Sequence, residues 1–111
     1  MSKAQHAYSR YSLEALALLG QMIRVGRIDR KITGEEMASR MGISRSLVQR
    51  IEKGDPGCAI GPVFEAAAIV GVPLFESDNE RLGAHRAFAG EMLSLLPKYA
   101  RKPKRAIKDD F

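Results

Sequence analysis

Arg45, Ser46, Gln49 and Arg50 fall at a spacing that places them on one face of a helix. An arginine guanidinium can donate two parallel hydrogen bonds to guanine O6 and N7, and a glutamine amide can pair with adenine N6 and N7. A helix offering Arg, Ser, Gln and Arg outward is therefore equipped to read base edges in a duplex groove. Thr33, Arg40 and Lys53 flank this set and are candidates for phosphate contacts, which supply affinity and register rather than sequence choice.

The elements that must hold this face are legible in the segment Thr33 to Gly54, which reads T-G-E-E-M-A-S-R-M-G-I-S-R-S-L-V-Q-R-I-E-K-G. Thr33 can cap a short helix. Glu36 completes a Thr-x-x-Glu box, and Glu35 and Glu36 suit the positive end of the helix dipole. Gly42 stops that helix in a left-handed turn, where a Cβ is expected to clash. Ser44 caps a second helix with Leu47, Val48 and Ile51 inward, ended by Gly54. Ile43 helps pin that helix to the first, and Ala38 is small because the two cross closely. Two short helices joined at Met41-Gly42-Ile43-Ser44 are a helix-turn-helix.

Around this unit the apolar spacing is helical nearly throughout. A preceding helix capped by Ser12 is predicted to run to about Asp29, with Leu13, Leu16, Leu19 and Ile23 inward, after a flexible arm over residues 1–11. A fourth helix is expected to start with Pro62 in its first position and to carry Val63, Phe64, Ala67 and Val70. A fifth runs from about Asp78 to Leu96, where Pro97 stops it. The fold class is thus all-α with five helices: a DNA-binding domain over 12–75, a C-terminal helix over 76–96 and a disordered basic tail over 97–111.

Composition agrees with that scale. The chain has 111 residues, 45% of them hydrophobic, only 6% aromatic and no Trp, which suits one small domain of aliphatic helices. No apolar run is long enough to span a bilayer, the N-terminus lacks a signal-type apolar region, and Cys58 is the lone cysteine. A reduced, cytoplasmic setting is the expectation. The net charge of +5 is concentrated in two blocks. Residues 24–53 carry eight basic against four acidic side chains, and residues 97–111 carry six against two. Such blocks on an otherwise acidic chain suit a polyanion.

Taken together, the A-x-x-x-G-I-S turn, the I-E-x-G end of the recognition helix and the later G-V-P-L-F resemble the Xre (Cro/C1-type) helix-turn-helix family over about Leu19 to Phe75. The resemblance implies a lambda-repressor-like fold and operator binding. It also implies a structural ion pair between Arg27 on the first helix and Glu52 at the end of the recognition helix. The family usually has Gln where this chain has Gly34, so Thr33 and backbone N–H groups must replace one phosphate contact. The C-terminal L-L-P-K-Y-A-R-K-P-K-R-A-I-K-D-D-F looks like the tail of HipB-like antitoxins, dimeric autorepressors that bind a HipA-like serine/threonine kinase toxin.

Operators for such motifs commonly hold two half-sites, so one recognition helix per chain calls for a homodimer. Leu82, His85, Phe88, Ala89, Met92 and Leu96 form an apolar stripe on the last helix and are the expected dimer contacts. No catalytic constellation, metal site or cofactor motif is read. His6 and His85 are far apart, Gly54-Asp-Pro-Gly57 lacks the context of a phosphate loop, and Met22, Met37, Met41 and Met92 fit core positions. No membrane or small-molecule partner is expected. The rival readings are a stand-alone Xre-type regulator without a toxin, an RNA-binding adaptor, and a protein-interaction module that has lost its DNA contacts.

Overall fold

Ser9, not Ser12, starts the first helix. Its hydroxyl accepts the Ser12 N–H at 3.1 Å and also bonds the Ser12 hydroxyl at 3.0 Å. Both serines can cap, and the earlier one wins because Arg10 and Tyr11 take helical conformation. Arg10 and Tyr11 of the expected arm over 1–11 are therefore helical, and its residues 1–6 lie outside the described residues. In this computed structural model, residues 7–76, 78–100 and 102 are described. The helices are α1 (Arg10–Asp29), α2 (Gly34–Met41), α3 (Arg45–Glu52), α4 (Ile60–Ile69) and α5 (Asn79–Ser94), with no strand among the described residues. The fold is all-α. Apart from 97–100 and Lys102, the tail expected to be disordered lies outside the described residues, as does His6.

The chain divides into two units between Leu74 and Phe75. In the first, Ile23 from α1, Met37 and Ala38 from α2, Val48 and Ile51 from α3, and Ala66, Ala67 and Val70 around α4 form one buried cluster. Leu19, Met41, Ile43, Leu47 and Val63 pack against it, partly buried. Leu13, expected inward, is largely exposed, and Met22 and Met92 are surface residues rather than core. The outer face of α1 is itself apolar: Tyr11, Leu18, Met22 and Val25 recur at heptad-like spacing and all are exposed.

The α4 start also differs from expectation. Ile60 is its first residue, Ala59 provides no side-chain cap, and Pro62 stands third. That position is still within the first turn, whose N–H groups have no helical partner, so the proline costs the helix no bond. In the second unit, Asp78 caps α5 by accepting the Glu80 N–H at 2.9 Å. No residue of α5 is buried. Among the described residues no helix is long and apolar enough to cross a membrane.

Candidate nucleic-acid interface

Local hydrogen bonds build the α2–α3 turn. Thr33 Oγ1 accepts the Glu36 N–H at 3.0 Å while the Glu36 carboxylate accepts the Thr33 N–H at 2.8 Å, closing the capping box. At the other end, Gly42 takes φ +69°, and the Ile43 N–H reaches back to the Ala38 carbonyl at 3.0 Å. Beyond Gly42 and its two chain neighbours, no atom lies within 4 Å of where a Cβ on Gly42 would stand, so the expected clash with the packed helices is absent. Glycine is required there for its backbone angle, not for space. Ser44 then caps α3, its hydroxyl accepting the Leu47 N–H at 3.0 Å.

The far end of α3 is fixed by charge. Arg27 donates from Nε to Glu52 Oε2 at 2.6 Å and from Nη2 to Oε1 at 3.0 Å, and its Nη1 bonds the Ile32 carbonyl at 2.8 Å. One guanidinium thus joins α1, the α1–α2 connection and the end of α3. The pair is largely withdrawn from water, with side-chain exposures of 12% and 5%. The Glu52 hydrogen bond raises the Arg27 pKa above its already high ordinary value, so the cation is permanent.

With Val48, Ile51 and Glu52 buried, α3 turns Arg45, Ser46, Gln49 and Arg50 to solvent. The first three make no side-chain hydrogen bond to any described residue. Thr33 and Gly34 adjoin this face at its N-terminal end: a Cβ on Gly34 would stand 3.9 Å from Arg45 Nε. Lys53 follows α3 at the opposite end, about 12 Å away at 1.5 Å per residue. Arg40 is placed differently, lining a shallow depression with Ile32, Glu36 and Ser39, none of them on the α3 face.

Arg50 holds a partner that the sequence reading did not foresee. Its Nε donates to Asp55 Oδ2 at 2.8 Å, and Asp55 Oδ1 accepts the Gly57 N–H at 2.7 Å. The Arg50 bond, with help from Gly57, holds the Asp55 carboxyl below the usual carboxylate range, so the pair is ionised at neutral pH. Cys58 packs nearby against the core, half-buried, and burial pushes its thiol pKa up, which suits a packing role rather than a nucleophile.

The expected dimer residues Leu82, His85, Phe88, Ala89, Met92 and Leu96 are all exposed. His85 Nε2 and Arg81 Nη1 both lie 3.8 Å from Glu76 Oε2. Among the described residues no group of three His, Cys, Asp or Glu could hold a metal ion. Compared with protein-family models, curated proteins and solved structures, the chain matches none.

Proposed function

We propose that the chain is a sequence-specific, dimeric DNA-binding repressor of the Xre type, acting in the bacterial cytoplasm. One observation carries this reading. α3 is locked on its inner side by a capped turn, a buried apolar edge and the Arg27–Glu52 pair, while its outer side offers only Arg45, Ser46, Gln49 and Arg50. A solvent-facing set of forked donors on so short and firmly held a helix suits base edges better than it suits solvation alone. Arg45, Ser46, Gln49 and Arg50 then read bases, while Thr33 and Lys53 hold phosphates at the two ends. Arg40, on α2 and away from the α3 face, would take a phosphate flanking the α3 contacts.

As an autorepressor, the protein would sit over its own promoter and exclude polymerase. A HipB-like role adds a second partner, a serine/threonine kinase toxin docked on the dimer, and rests on the sequence resemblance of the tail.

Fluorescence anisotropy against a duplex selected from a randomised pool, and against a scrambled duplex, tests the DNA reading. The selected duplex is expected to bind at least about a thousandfold more tightly, with affinity falling steeply as salt rises. Arg45→Ala is expected to cost about 1–3 kcal/mol on the selected duplex and to relax preference at one base pair. Failure to enrich any sequence, with equal weak binding to both duplexes, would leave the interaction-module reading in place.

Dimerisation is tested by sedimentation equilibrium. The wild type is expected at twice its 12.2 kDa chain mass, and Phe88→Glu at the chain mass. If Phe88→Glu stays dimeric while Leu18→Glu becomes monomeric, the outer face of α1 takes the role assigned to α5.

A further inference from the structure

We infer that Asp55 is a positioning residue for sequence choice, aiming the Arg50 guanidinium so that its terminal edge meets a guanine. The inference rests on the reading that α3 contacts duplex DNA. An acidic side chain beside a DNA-facing helix otherwise opposes binding, because it repels phosphate and cancels one cation. Its placement calls for a compensating use.

The loop after α3 is built around this contact. The Asp55 N–H bonds the Arg50 carbonyl at 3.0 Å, and the Cys58 N–H bonds the Asp55 carbonyl at 3.2 Å. Asp55 Oδ1 is held by the Gly57 N–H, which leaves Oδ2 for Arg50 Nε. Pro56 stiffens the link between the two anchoring residues. A Cβ on Gly57 would stand 3.2 Å from Asp55 Oδ1, a tight approach, and 3.5 Å from Arg50 Nη2, an ordinary contact, so the guanidinium lies against the turn and glycine keeps the Asp55 carboxylate uncrowded.

An unrestrained arginine has many rotamers and settles on whichever phosphate is nearest. Once Nε is taken by Asp55, Nη1 and Nη2 make no hydrogen bond to a described residue and form a fixed pair of donors. That edge matches the O6 and N7 acceptors of guanine. Asp55 thus turns a general cation into a directional reader.

The test compares wild type, Asp55→Asn, Arg50→Ala and the double variant on the selected and the scrambled duplex, with thermal unfolding of each. Asp55→Asn is expected to lower the ratio of selected to scrambled affinity about tenfold, within the discrimination one bidentate pair supplies. Affinity for the scrambled duplex should hold or rise, and the unfolding midpoint should be unchanged. In the Arg50→Ala background, the Asp55 substitution should lower the ratio no further. A ratio that holds or rises in Asp55→Asn would overturn the inference and make the pair a restraint that DNA must break. An equal drop on both duplexes with a lowered midpoint would reduce Asp55 to a structural residue. If the wild type itself selects no sequence, the DNA reading falls, and this inference with it; wild-type selection with an unaltered Asp55→Asn ratio sinks this inference alone.

Discussion

Glu52→Ala is expected to destabilise the helical unit ending at Leu74 by about 3–5 kcal/mol, the range for removing one partner of a buried ion pair. The reason lies in what remains. Arg27 would keep only its bond to the Ile32 carbonyl, with the rest of a permanently charged guanidinium held among packed helices and little water to replace the carboxylate. Small domains have about 5–15 kcal/mol in total, so the loss would remove a large share of the unit's stability. Glu52→Gln should cost less, because an amide oxygen can still accept one of the two bonds. Arg27→Lys should not rescue the geometry, since an ammonium cannot present the three donors that meet Glu52 and Ile32 in one plane. Urea unfolding followed by circular dichroism reads all three variants. A loss under about 1 kcal/mol for Glu52→Ala would mean that water reaches the pair freely. Replacing both residues by Met and Leu is a separate question, because a buried pair exchanged for packed apolar groups is often neutral.

How far such features could be read without coordinates depends on their range along the chain. The Thr33 box, the Ser44 cap and the Gly42 turn each involve residues three to five apart, so local chemistry determines them. Ser9 and Ser12 satisfy the same capping rule, and only the backbone of Arg10 decides between them. Arg27 and Glu52 are 25 residues apart, and their pairing was legible only through the resemblance to a family. The Arg50–Asp55 bond needed the exact path of a turn with Pro and Gly in it, which composition does not specify. The apolar outer face of α1 was overlooked for a different reason. Leu16, Leu19 and Ile23 already account for a core-facing stripe, and Tyr11, Leu18, Met22 and Val25 make a second stripe on the opposite side. A helix apolar on both sides is normally covered on both.

The glycines at the α1–α3 crossing carry the second large expectation. Gly20→Ala should destabilise the unit by about 1–3 kcal/mol, although helix propensity alone favours alanine in mid-helix by nearly 1 kcal/mol. A Cβ there would lie 2.6 Å from the Glu52 carbonyl oxygen and 2.7 Å from that of Ile51. Both neighbours are backbone at the end of α3, so relief requires moving the helix rather than a side chain. Gly54→Ala should cost more, because two penalties coincide. Its φ is +76°, and its Cβ would meet Ala17 Cα and the Leu16 carbonyl oxygen at 2.7 Å. Gly20 on α1 faces the end of α3, and Gly54, just after α3, faces α1, so α1 and the end of α3 touch backbone to backbone. Arg27 and Glu52 close the same contact, which is why a shift there would also disturb the face carrying Gln49 and Arg50. Gly83→Ala on α5, with nothing within 4 Å, should instead stabilise its helix slightly. The expected order of unfolding midpoints is Gly83→Ala at or above wild type, then Gly20→Ala, then Gly54→Ala. If Gly20→Ala matched Gly83→Ala, α1 and α3 would have to be farther apart than the structure has them, and the firm seating of α3 would lose its basis.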